Sequence, residues 1–254
     1  MEKFKLNIGG RDLVVEIRNL AEQANGNCLV QYGDTVVLAT AVMSNQEREG
    51  IDFFPLTVEY EERFYAAGKI LGSRFIRRES RPSDEAILSA RAIDRTIRPR
   101  FPKDFCKEVQ VVVTCLSWDS KNDPDIVGFL ASSLALAISD IPWSGPIAAL
   151  RIAKIDEQFV LNPIYGERER SELDLVLVAL EDGVINMIEM EGEEVDEKVI
   201  LEAHSFAKPY LKKLIDFQKE IAKKVGKEKI AFEEPIRDLE LEREIKEFFC
   251  FIGP

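Results

Sequence analysis

The chain has a single histidine, His204, and only four cysteines, none in a Cys-x-x-Cys pair. A lone histidine inside a helical stretch reads as a packing or surface residue, and no second base exists for a Ser-His-Asp arrangement. Cys28, Cys106, Cys115 and Cys250 are too widely spaced for a zinc site or a disulfide frame, and they read as reduced core residues of a cytosolic protein. Neither Gly-x-Gly-x-x-Gly nor the P-loop pattern occurs, which leaves a dinucleotide or nucleoside-triphosphate site unsupported. There is no apolar run of the length that spans a membrane. Met1-Glu2-Lys3-Phe4-Lys5 opens directly on strand-like alternation, leaving no room for a signal peptide. Positive charge is also scarce: 34 Lys and Arg against 46 Asp and Glu, a net −12, which argues against broad coating of nucleic acid but not against a local basic site. Abundant Glu and Lys points weakly to a thermophile. What remains is 254 residues, 46% of them hydrophobic, enough for one large core or two small ones.

Against that acidic background one segment stands apart. Between Arg63 and Lys103 there are 11 Lys and Arg and 4 Asp and Glu, a local +7, so the rest of the chain sums to −19. Its centre is Phe75-Ile76-Arg77-Arg78-Glu79-Ser80-Arg81-Pro82-Ser83. Pro82-Ser83-Asp84-Glu85 predicts a helix start, with Ser83 as cap and two acids at the positive end. Ala86, Ala90, Ile93 and Ile97 then recur on one face, while Arg91, Arg95 and Arg98 fall on another at i, i+4, i+7. Phe64, Tyr65 and Phe75 lie beside these charges. Aromatics next to arginines suit single-stranded RNA, where bases stack and guanidiniums pair with phosphates. The competing reading is a solvated arginine face with half its members in surface salt bridges.

The remaining pattern predicts a hairpin (Phe4, Leu6, Ile8 against Leu13, Val15, Ile17), strands at 30–32 and 35–42 around Gly33-Asp34, and a strand from Phe54 to Tyr60. Val109 to Leu116 reads as a buried strand. Asn122-Asp123-Pro124-Asp125 opens a helix to about Ser139 whose small residues permit close packing. Hairpins follow at 148–161 and 173–190, then a long helix from Asp196 to about Val225, kinked or split at Pro209. Gly226 ends it, and a further helix begins at Leu239. The Glu189–Glu194 run is most simply solvated. Asp174, flanked by Leu173, Leu175 and Val176, is either an edge residue or part of a metal or acid site.

Several blocks occurring in order resemble the first core domain of the polynucleotide phosphorylase family. They are Asp52-Phe53-Phe54-Pro55-Leu56-Thr57-Val58, Tyr65-Ala66-Ala67-Gly68, Phe75-Ile76-Arg77-Arg78-Glu79, Arg81-Pro82-Ser83, Ile93-Asp94-Arg95-Thr96-Ile97-Arg98-Pro99, Asn122–Ile126, and Ile141-Pro142 with Gly145-Pro146-Ile147. The resemblance implies an α+β, ribonuclease PH-like fold (ribosomal protein S5 domain 2-like), with mixed sheets packed against helices. Residues 1–225 would form that core domain, and 226–254 would begin the family's all-α linker. It implies RNA degradation from the 3′ end by phosphorolysis: inorganic phosphate releases nucleoside diphosphates, with Mg2+, in a cytoplasmic homotrimeric ring acting in mRNA degradation. The family's Phe-Phe-Arg-Arg loop grips RNA at the ring's aperture. Here Ile76 replaces its second aromatic.

By the same resemblance, Phe75, Arg77, Arg78 and Arg81 hold RNA, Arg91, Arg95 and Arg98 support from the helix behind, and Phe64 or Tyr65 stack. The family assigns catalysis, and its Mg2+, to a second core domain absent from this sequence. The phosphate-binding serines of that second domain align with Asp123, Pro124 and Asp125, and its Asp-x-Lys pair with Asp174 and Val176. Asp174 is thus a degenerate remnant, no catalytic or metal residue is expected in this chain, and the segment is read as a non-catalytic, RNA-gripping, ring-forming half. Two alternatives stay open: an active single-domain ribonuclease PH-type exonuclease, and a structural ring subunit that contacts RNA little.

Overall fold

The computed structural model describes residues 1–47, 50–70, 81–232, 243–245 and 248. The first sheet has six strands: β1 (Glu2–Ile8), β2 (Arg11–Ile17), β3 (Gly26–Tyr32), β4 (Thr35–Glu47), β5 (Leu56–Glu61) and β6 (Lys107–Ser117), in the order β1-β2-β3-β4-β6-β5. All neighbours are antiparallel except β5 and β6, whose parallel pairing requires the long crossover that contains helix α1 (Asp84–Ile97). The β1–β2 turn is Gly9-Gly10, both with positive φ (58° and 76°), the conformation glycine adopts without a Cβ clash. The gap between Ile8 and Leu13 in the hairpin pattern leaves room for a four-residue turn, Gly9 to Asp12. Instead Arg11 and Asp12 pair with Ile8 and Asn7 and extend the ladder.

A second sheet holds β7 (Ala148–Ile155), β8 (Gln158–Leu161), β9 (Leu173–Ala179) and β10 (Ile185–Gly192), in the order β10-β9-β7-β8 and antiparallel throughout. Helix α2 (Pro124–Ile138) lies between the two sheets, against β3, β4 and β6 on one side and β7 and the last helix on the other. That position explains its composition: almost every residue from Ile126 to Leu136 is buried, so there is no polar face. Its own serines close hydrogen bonds inside the core, Ser132 Oγ donating to the Gly128 carbonyl at 2.7 Å and Ser133 Oγ accepting from Ile147 N at 3.0 Å. β3 approaches α2 so closely at Gly26 that any Cβ there would overlap the Ala135 carbonyl.

A short helix, α3 (Tyr165–Arg168), follows β8; four residues leave no periodicity to read in the sequence. α4 (Glu197–Val225) is one continuous helix that contains Pro209 without being split by it, and it buries Ala203, Ala207, Leu211, Leu214, Ile215 and Ile221 toward the second sheet and α2. Beyond Gly226 the chain runs back across the C-terminal end of α2. Lys227 N and Ile230 N donate to the Ile138 and Asp140 carbonyls, and the Lys229 ammonium donates to the carbonyls of Leu136 and Ser139, where the helix dipole favours a cation. Among the described residues, no helix is long and apolar enough to cross a membrane.

Candidate functional site

The cationic surface is organised by α1. Ser83 caps it, its Oγ accepting from Ala86 N at 3.0 Å, and the same hydroxyl donates to Glu62 Oε2 at 2.7 Å. Glu62 lies just before the 3-10 turn Phe64–Ala67, so this bond ties together the two chain segments that flank residues 71–80. The turn is held from below by Trp118 N, which donates to the Ala66 carbonyl at 2.9 Å, and closed by Gly68 at φ 67°. Phe64 and Tyr65 stand 43% and 56% exposed, and Arg81, Arg91 and Arg95 are exposed too. Phe75, Arg77 and Arg78 lie outside the described residues.

Arg98 differs from its two helical companions. Its Nε and Nη2 donate to Asp94 at 3.0 and 2.7 Å, Nη1 and Nη2 donate to the Phe54 and Leu56 carbonyls at 3.1 and 3.2 Å, and the guanidinium sits 5.7 Å from the Phe54 ring. It therefore ties α1 to the start of β5, while Arg91 and Arg95 project to solvent.

A second constellation lies at the N-terminal end of α2. Asp123 caps the helix, Oδ1 accepting from Asp125 N at 3.1 Å. Its Oδ2 receives Arg151 Nη2 at 2.9 Å and Arg168 Nη1 at 3.2 Å. Asp174 receives the same two arginines from the other side: Arg151 Nη1 at 2.8 and 3.0 Å and Arg168 Nε at 2.7 Å. Two carboxylates and two guanidiniums thus form a closed, neutral ring, with Asp123 and Asp174 only 8% and 12% exposed. Of the alternatives open for Asp174, the edge residue is excluded, because β9 is an interior strand; the carboxylate is held by two arginines. Neither arginine was singled out from sequence, although Arg151 carries the same signal as Asp174, a lone charge in an apolar strand (Ala148-Ala149-Leu150-Arg151-Ile152-Ala153).

Beside the ring, the Asp125 carboxyl is pushed up to about 6, by burial first and then by the Asp123 carboxylate, with Ser89 and Arg151 opposing. Ser89 Oγ donates to it at 2.8 Å. The buried Tyr60 hydroxyl faces Asp125 without a well-formed hydrogen bond, and burial together with that carboxyl raises it well above its ordinary value. The space left next to the ring, lined by Tyr32, Asn122, Asp123, Arg151 and Asn162, is about 10 Å³, room for one water and no more. A helix N-terminus facing two guanidiniums is what an oxyanion needs, but here the Asp123 carboxylate occupies that place. The same pairing disqualifies the cluster as a Mg2+ site, which takes carboxylates whose charge is not already matched. Among the described residues no group of three or more His, Cys, Asp or Glu is placed to hold a metal ion.

Comparison with known proteins agrees with this architecture. Residues 9–142 match the 3′ exoribonuclease family, domain 1, and residues 145–209 match domain 2 of that family. Polyribonucleotide nucleotidyltransferase of Syntrophomonas wolfei is 46% identical over 248 residues, covering 98% of this chain and 35% of that protein. The proteins of the same name from Geobacillus kaustophilus and Thermus thermophilus are each 51% identical, covering 96% and 92% of this chain and 33% and 32% of themselves. The chain therefore spans about a third of the length of the curated relatives it matches. Among solved structures, rice Rrp46 superposes with a TM-score of 0.67 at 14% identity, covering 82% of this chain and 94% of that one. A structure of the Archaeoglobus fulgidus exosome with RNA bound to its active site gives 0.64 at 20%, covering 80% and 87%. By its two domain signatures and its near 50% identity to those relatives, the chain belongs to the 3′ exoribonuclease, ribonuclease PH-like family, in the polyribonucleotide nucleotidyltransferase branch.

Proposed function

We propose that this chain is the RNA-holding, ring-forming and non-catalytic core domain of a polyribonucleotide nucleotidyltransferase that degrades mRNA from the 3′ end in the cytoplasm. The observation that carries the non-catalytic reading is the closed Asp123–Arg151–Asp174–Arg168 ring. An attacking phosphate would need the guanidiniums that the two aspartates already hold, and it would meet Asp125 as well. Phosphorolysis by inorganic phosphate, and the Mg2+ that supports it, then belong to a second core domain of a longer chain. Residues 226–254 begin the linker toward it, and three copies close the ring.

The RNA-holding role is supported by the exposed Arg81, Arg91 and Arg95, by Phe64 and Tyr65 beside them, and by the sequence Phe75-Ile76-Arg77-Arg78 between. In this reading Arg77, Arg78 and Arg81 grip phosphates, Phe75 stacks, and Ile76 leaves one stacking surface fewer. Arg98 acts at one remove, by fixing the helix that carries the others. The test is radiolabelled poly(A) incubated with the purified chain, with and without phosphate and Mg2+, following both retention and nucleoside diphosphate release. Retention without release is expected. Phosphate-dependent release would mean that this domain carries an active site of its own.

A further inference from the structure

A second concentration of positive charge lies on α4, away from the arginine helix. Between Lys208 and Lys224 there are six lysines and two acids, in a chain whose net charge is −12. At about 100° per residue, Lys208, Lys212, Lys219 and Lys223 fall within an arc of about 60° and extend about 22 Å along the axis. Within that stretch no other residue occupies the arc. Lys208, Lys212 and Lys223 are exposed and have no ion-pair partner among the described residues, while Lys219 reaches Glu181. Lys213 borders an open groove of about 470 Å³, which Asp216, Phe217 and Glu220 of the helix also line and whose other wall is Lys3 to Leu6 of β1.

Folding alone does not account for the stripe. Lysines in the last turn complement the helix dipole, but that effect is confined to the last turn, and Lys208 and Lys212 lie more than three turns from Val225. Lys208 with Lys212, and Lys219 with Lys223, are like charges four residues apart, an arrangement that weakens a helix by a few tenths of a kcal/mol per pair. Glu181 offsets part of that cost at Lys219, but Lys208, Lys212 and Lys223 have no ion pair among the described residues that would return it. A straight row of ammonium groups without an interleaved apolar or aromatic side chain lacks the apolar centre of a protein–protein interface. It complements a long, evenly charged anion.

We infer that this face of α4 is a second surface for RNA, one that holds the phosphate backbone without regard to sequence. The inference rests on the RNA-holding reading above, and the two are tested apart. Retention of labelled poly(A) by the chain is measured across a salt series for three proteins: the unaltered chain, Lys208→Ala with Lys212→Ala and Lys223→Ala, and Arg77→Ala with Arg78→Ala. Each ammonium–phosphate contact to a single strand contributes about 0.7 to the slope of log affinity against log salt, so the lysine triple should flatten that slope by about 2. Its melting temperature should not fall, since the three side chains are exposed. A slope unchanged in the lysine triple, with poly(A) still lost in the arginine double, overturns this inference and leaves the first reading intact. Failure of the unaltered chain to retain poly(A) overturns both. Loss of polyglutamate binding without loss of poly(A) binding in the triple would assign the stripe to an acidic protein partner instead, and overturn it too.

Discussion

Replacing Asp174 with alanine should cost the fold about 3 kcal/mol, the lower end of the range for breaking a buried pair. The substitution removes three charge-assisted hydrogen bonds to Arg151 and Arg168 and leaves both guanidiniums sharing one carboxylate, Asp123. Summed at ~1.5–3 kcal/mol apiece, those bonds would give a larger figure. Two features reduce it. Asp123 keeps one bond to each arginine, and Arg168, 26% exposed, can turn toward water. Arg151, only 14% exposed and with Nε already unpartnered, cannot, so it keeps Asp123 but is left with a buried Nη1 that has lost its acceptor. The assay is the urea midpoint at neutral pH with the slope m held as a check, beside Glu220→Ala as control. Glu220 pairs with Lys224 on the surface, both more than half exposed, and its loss should cost less than about 1 kcal/mol. Asp174→Asn should fall between the two, because its amide oxygen still accepts one guanidinium. If Asp174→Ala moves the midpoint no further than Glu220→Ala does, the ring is a surface ornament and the reasoning fails.

Asp125 ionises at about 6 in the folded protein and near 3.8 when unfolded, so between those values the folded state binds the extra proton and stability from this group falls as pH rises. Asp125→Asn, which cannot ionise, should gain on the native chain as pH climbs through that window and keep the advantage above it; a constant difference across a pH series of urea midpoints would refute this. Arg77→Ala with Arg78→Ala should weaken single-stranded RNA binding by ~1–3 kcal/mol and flatten its salt dependence; unchanged affinity removes the role. Arg98→Ala should lower the melting temperature, because the Phe54 and Leu56 carbonyls lose their donors, while reducing RNA affinity less than Arg95→Ala does; equal RNA losses would return Arg98 to the binding surface. Gly26→Ala, forced against the Ala135 carbonyl, should destabilise by at least ~1–3 kcal/mol in thermal melts, and a neutral result would mean β3 can shift away from α2.

Local features of the fold were legible because they depend on neighbours in sequence. The hairpins, the Ser83 cap and the spacing of Ala86, Ala90, Ile93 and Ile97 each need only a few consecutive residues, and the structure reproduces them. The small residues of α2 announced close packing, and the helix is indeed walled in on both sides. The ion-pair ring was not legible, because its members meet through register between strands separated in sequence. β7 pairs with β9 so that Arg151 faces Val176 and Ala153 faces Asp174, making Arg151 and Asp174 diagonal neighbours on one face. Nothing local to either residue gives that alignment. Arg168 arrives from α3, and its role follows only from where that short helix is set down. Asp174 alone left an edge, metal or acid role open because its partners lay 23 and 6 residues away, out of reach of any motif.

The position of α2 bears on how such a domain can be divided, inherited or cut. It falls within the residues that match the first family domain, yet part of its surface is covered by β7 and α4, which belong to the stretch matching the second. A break in the chain near residue 143 that separated the two stretches would strip β7 and α4 from the side of α2 on which Ser133 meets Ile147. The two sequence domains therefore share one core, and a single cooperative transition is the expected outcome of a thermal melt. A duplication or fusion that carried one of them without the other would expose the apolar surface that α2 shares between them.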